Sequence, residues 1–268
     1  MIRLIKIDWL KNRGNKSFWI LLGLYFISLG GSLSLGMVFL NWLKRVGAEF
    51  DEFDPTRIPL YHFPDIWQNF IYFATFFKYV LGIVIIIGIT NEFSYKTVRQ
   101  NIIDGFDRKD FLKSKVLTIL LIAITASVFV FLVGIIVGSI YTPSEDMRFI
   151  FKDVEFVFGF FIEMVAFMLL ALLIGTLVKR SGLAIGLLFL YTLMIEPILT
   201  FNLPKSWEAI IPYFPMRAIA EVVKVPYQRY IFMEIRDYIS FESLLVISIY
   251  CCLFVYLTYR LLQKRDLQ

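Results

Sequence analysis

Apolar residues fall into six long blocks along this chain, and most charged residues lie in the stretches between them. The blocks cover about residues 17–40, 70–90, 116–140, 154–178, 181–201 and 241–262. Each is close to or beyond the roughly 20 residues that carry a helix across the hydrocarbon core of a bilayer at 1.5 Å per residue. Blocks four and five are so close that they must form a helical hairpin, with Lys179, Arg180 and Gly182 expected to supply the turn. The pattern predicts an all-α membrane protein with a single transmembrane domain of six spans over residues 1–268.

The first block resembles a signal peptide in its flanks, since basic residues precede it and Gly30, Gly31 and Ser32 follow. It is too long for that role and has no clean small-x-small cleavage site, so a retained helix is expected.

Composition strengthens the membrane reading. Of 268 residues, 59% are hydrophobic and 18% charged, and the mean hydropathy is +0.72. Soluble domains have about 45–50% apolar and about 25% charged residues. The 28 Phe and 14 Tyr suit helix packing and interfacial anchoring.

Charge orients the spans. Segments 1–16, 91–115, 179–180 and 260–268 hold 16 Lys and Arg in 52 residues. Segments 41–69, 141–153 and 202–240 hold 10 in 81 residues. The denser side is expected to be cytoplasmic, with both termini there. Trp19, Trp42, Trp67 and Trp207 fall near block ends, where an indole ring sits at headgroup depth. Residues 1–13 alternate Ile2, Ile5, Trp9 and Leu10 with Arg3, Lys6, Lys11 and Arg13, which suits either an interfacial N-terminal helix or a basic topology anchor.

Catalytic signatures are absent from the sequence. Its single His, His62, lies in the first outer loop, and no GxxxxGK[ST], GxGxxG, EF-hand, CxxC or HExxH pattern occurs. No catalytic residues, metal site or bound cofactor are expected, and an enzyme acting alone is not. Cys251 and Cys252 are adjacent, match no metal spacing and read as small apolar filler.

Three charged residues lie within the blocks away from their outermost turns: Lys78, Glu163 and Glu196. Such groups cost a few kcal/mol each at the bilayer centre and usually face protein or water. All three count to the outer half, so a Lys–Glu pair is within geometric reach. They mark either a substrate path or a structural ion pair; Glu196, near Pro197 and the block end, fits a charge reaching the headgroups.

The most informative stretch lies between blocks two and three. Residues 91–103 read as a continuation of the second helix, with Lys96, Arg99 and Gln100 solvated and Phe93, Val98, Ile102 and Ile103 apolar. Gly105 breaks that helix. Asp107 is placed to cap a new one starting at Arg108, with Asp110 in its first turn. The result is a helix–turn–helix projecting from the membrane, tipped by Ile102, Ile103, Gly105 and Phe106. It is either a docking knob for a soluble partner or a loop folded back on the headgroups.

Glu92, Thr97 and Arg99, followed by Arg108, Leu112 and Lys115, resemble the pattern between spans two and three of ABC transporter permeases of the type-2 exporter class. Lys96 stands where that family usually has Gly, and its usual Pro before the second basic region is missing. The opening at Phe18-Trp19-Ile20 and the ending Tyr259–Asp266 resemble the family's first and last helices. The resemblance implies a permease subunit that pairs with a second copy of itself or a related permease. It would carry two ABC ATPase subunits, which bind ATP and Mg, and would contact lipid but no nucleic acid. Residues 95–106 would be the cytoplasmic coupling helix. Tyr95, Thr97, Arg99, Ile102, Ile103, Gly105, Phe106 and Arg108 would carry the contact, with Glu92 and Arg99 holding the elbow rigid.

The family also has short re-entrant helices before its last span. Residues 202–240, with Pro204, Pro212, Pro215 and Pro226, would form such a lid or an exposed cap. The resemblance implies a bacterial or archaeal inner membrane, with the bacterial one expected. Two readings from other classes stay open: an ion-gradient carrier using Lys78, Glu163 and Glu196, and a scaffold recruiting a cytosolic partner.

Overall fold

The computed structural model describes residues 13–46, 59–95, 97, 107–226 and 238–264. Among these every regular element is helical. Six helical rods are long and apolar enough to cross a membrane. They are α1 (Lys16–Arg45), α2 (Ile66–Ser94), α3 (Arg108–Tyr141), α4 (Glu155–Val178), α5 (Ser181–Phe201) and, after a short α6 (Pro215–Ala220), α7 (Phe241–Lys264). The expected N-terminal helix at residues 1–13 and the tip at 98–106 lie outside the described residues, apart from Arg13.

The bundle is built around α4. Its sequence is apolar on all sides, which is the signature of a helix with no solvent face. Of its most apolar stretch 72% is buried, against 22% in each of α1, α5 and α7. Close approach to α2 is set by Gly175, where a Cβ would come within 2.5 Å of Ile89 Cγ2. Gly82 on α2 does the same for the Phe167 ring of α4. Small residues at such crossings let backbones approach without a hydrophobic drive between helices in lipid.

The two ends of the bundle are tied by long-range hydrogen bonds. At one end Phe63 N–H donates to Thr142 Oγ1 at 3.0 Å, and Trp67 Nε1–H to the Ile150 carbonyl at 2.7 Å. At the other, Arg108 Nη1 donates to the carbonyls of Leu262 and Gln263 at 2.7 and 2.6 Å. The second end is the basic one in sequence.

Four local expectations are corrected. The α4–α5 turn uses Lys179 in the left-handed region, φ 58°, and extended Arg180, while Gly182 lies inside α5. Helix α2 stops at Ser94 instead of running unbroken through Ile103, and Tyr95 forms a turn whose N–H donates to the Asn91 carbonyl. Asp107 does occupy the cap position of α3, but its side chain makes no capping bond. Trp67 is fully buried, stacked on Phe131 and fitted against Gly134. Only the other three, Trp19, Trp42 and Trp207, are exposed as interfacial rings would be.

Candidate functional site

The residues singled out in the sequence separate into two centres at different depths. The first lies where α2 and α3 enter the basic end. Glu92, in the last turn of α2, forms an ion pair with Lys115, two turns into α3. Both side chains are nearly buried, at 14% and 13% exposure, so the pair is screened less than a surface bridge. Thr97 Oγ1–H donates to the Glu92 carbonyl at 3.1 Å, tying the chain beyond Tyr95 back to α2. Lys179 Nζ sits 5.2 Å from the Phe93 ring centroid, so the α4–α5 turn also touches this end of α2.

Arg108 is committed elsewhere. Its guanidinium supplies donors to the last carbonyls of α7, groups that a helix end leaves without intrahelical partners. Tyr95 is exposed. Arg99, Ile102, Ile103, Gly105 and Phe106 lie outside the described residues.

The second centre is inside the bundle. A short 3₁₀ turn, Thr75–Phe77, interrupts α2 just before Lys78. Lys78 Nζ reaches Glu163 Oε1 on α4 at 2.7 Å, and the two residues are 7% and 1% exposed. Phe167, one turn beyond Glu163, lies 5.6 Å from the same ammonium. Tyr79 packs edge-on to Phe167 and stacks on Phe189 of α5, closing the site with aromatic rings. Glu163 Oε2 has no hydrogen-bond partner among the described residues.

Glu196 does not join this pair, nor does it reach for headgroups. It is 1% exposed, and its two carboxylate oxygens accept from Met216 N–H at 3.0 Å and Arg217 N–H at 2.8 Å. A carboxylate is favoured at the free N–H groups that open α6. A π turn at Tyr191–Ile195 immediately precedes it. On the far side of residues 202–226, Tyr213 O–H donates to Glu242 at 2.6 Å, and Tyr250 O–H donates to the Tyr213 carbonyl at 2.5 Å. The bond to Glu242 raises the pKa of Tyr213 above the ordinary phenol range.

A family model described as protein of unknown function (DUF2705) matches residues 53–268. The chain belongs to that family. A search of curated proteins found no match. The match covers every DUF2705 feature described above except α1, so both centres lie within the shared region.

Sequence reasoning placed Glu92 and Lys78 in functional roles but did not find their partnerships in full. Lys115 was visible as a motif residue, yet its pairing with Glu92 depends on the α2–α3 crossing. Pro215 at the first position of α6 was the sequence signal for the helix that holds Glu196.

Proposed function

We propose that this DUF2705 protein is the permease subunit of an ATP-driven ABC transporter of the exporter kind. It pairs with a second copy or a related permease and carries two separate ATPase subunits that bind ATP and Mg. The translocation path runs between the paired membrane subunits. Residues 95–106 act as the coupling helix, both termini are cytoplasmic, and the membrane is a bacterial inner membrane.

The observation that supports this reading is the bracing of the α2–α3 junction. A lever needs rigid anchorage at both ends. The Glu92–Lys115 pair and the Thr97 bond lock its α2 side, and Arg108 locks its α3 side to α7. Force applied to residues 95–106 would therefore reach three spans together. Residues 202–240, of which 227–237 lie outside the described residues, serve as a lid at the opposite end, latched through Glu196 and Tyr213.

The test is purification of the tagged full chain from its native membrane. A nucleotide-hydrolysing subunit is expected to copurify and to be lost when Ile102, Ile103 and Phe106 are all replaced by Asp. Undiminished recovery of the ATPase by that triple variant refutes the coupling role.

The buried Lys78–Glu163 pair favours one second reading, an ion-gradient carrier. Under it, Glu163→Gln abolishes transport in reconstituted vesicles driven by an ion gradient without ATP. Under the permease reading, such vesicles carry out no transport to abolish.

A further inference from the structure

An open groove of about 950 Å³ lies in the wall of the bundle. That volume lies near the upper end for pockets that hold a whole small molecule. One wall is a single face of α3, on which Lys109, Lys113, Val116 and Leu120 recur at helical spacing. The other is one face of α7, with Cys252, Tyr256 and Tyr259, and Val165 and Leu169 of α4 form the floor.

The groove changes character along its length. Its deep part is hydrocarbon, and its mouth at the basic end carries hydrogen-bond donors. Lys109 is exposed and has no ion-pair partner among the described residues, while Lys113 shares an exposed contact with Asp110. Tyr259 accepts from Gln263 Nε2 at 2.7 Å, which leaves its own O–H to donate. Arg260 lies beside the mouth, over the Tyr256 ring.

We propose that this groove binds one anionic phospholipid from the leaflet on the basic side, with an acyl chain along α4 and the phosphate at Lys109, Lys113 and Tyr259. Charge selects this occupant over a second copy of the chain. A two-fold contact through the groove would set Lys109 and Lys113 of both copies at the same depth, and like charges so placed repel. A phospholipid brings negative charge to a mouth where Lys109 has no ion-pair partner among the described residues, at the basic end of an apolar span. The inference is independent of what, if anything, the protein transports.

The test is native mass spectrometry of the purified full chain, titrated with phosphatidylglycerol or with phosphatidylcholine of the same acyl chains. Phosphatidylglycerol should be retained preferentially. Lys109→Gln with Lys113→Gln should reduce that preference about twenty-five-fold, at roughly fivefold per lysine. Cys252→Trp, which fills the groove from α7, should reduce retention of both lipids. Equal retention of the two lipids by the wild-type chain overturns the proposal. So does a preference that survives the double charge variant, or displacement of the lipid by glycerol phosphate, which would mean a site for free phosphate. Efficient Cys252–Cys252 cross-linking between copies in vesicles would assign the groove to a second chain and also overturn it.

Discussion

Lys78 and Glu163 meet inside the bundle, where each is the ionic partner of the other. Removing one leaves the other buried without compensation, at a cost of about 3–5 kcal/mol, whereas replacing both with apolar residues of similar volume is often neutral or stabilising. Lys78→Met is therefore expected to lower the unfolding temperature in detergent sharply, and Lys78→Met with Glu163→Leu to restore most of it. A double variant no more stable than the single one would show that the pair is not an isolated unit. Glu196 has a different dependence, because it accepts from two backbone N–H groups, those of Met216 and Arg217, rather than pairing with a buried charge. Glu196→Ala should free the start of α6 and raise protease cleavage in residues 205–213, while Glu196→Gln, which keeps one acceptor oxygen, should do so less. Equal cleavage in Glu196→Ala and wild type would mean that the carboxylate does not hold α6.

At the scale of the helices, the α2–α4 crossing is set by Gly175, and overpacking there is expected to cost about 1–3 kcal/mol. Gly175→Leu should lower the melting temperature. Gly186→Leu, at a glycine with open space around it, should leave it nearly unchanged. The α2–α3 brace predicts a separate effect: Lys115→Ala should cost about 1–2 kcal/mol, between the limits for exposed and buried pairs. If the junction transmits force, ATPase subunits should still copurify with Lys115→Ala while transport falls. Retained transport would detach the brace from coupling.

Span limits were legible in the sequence because a run of about 20 apolar residues has one common solution in lipid, a helix that satisfies its own backbone. The blocks at 154–178 and 181–201 match Glu155–Val178 and Ser181–Phe201 almost residue for residue. The start of α2 was not legible. Gln68 and Asn69 read as loop, yet both are buried, with amide donors to the Lys224 and Leu60 carbonyls. Trp67 was placed in the headgroups for the same reason, since its carbonyl partner and Gly134 come from distant segments. Pattern reading sees one helix at a time, and partners brought by the tertiary fold are invisible to it.

For the whole molecule, the decisive question is which face of the bilayer each end occupies. The hydrogen bonds of Arg108 to α7 group residues 108 and 262–263 at one end, and the bonds of Phe63 and Trp67 group residues 63–67 with 142–150 at the other. These groupings follow from the fold alone and agree with the charge asymmetry along the chain. The permease reading requires the first end to face the cytosol, because an ATPase has no nucleotide elsewhere. In a background with Cys251 and Cys252 replaced by Ala, a membrane-impermeant maleimide added to intact cells should label Glu145→Cys and Lys205→Cys but not Lys109→Cys. Permeabilised cells should label all three. Labelling of Lys109→Cys from outside would put residues 95–106 beyond the reach of any cytosolic ATPase, and the coupling mechanism would fail whatever the strength of the α2–α3 brace.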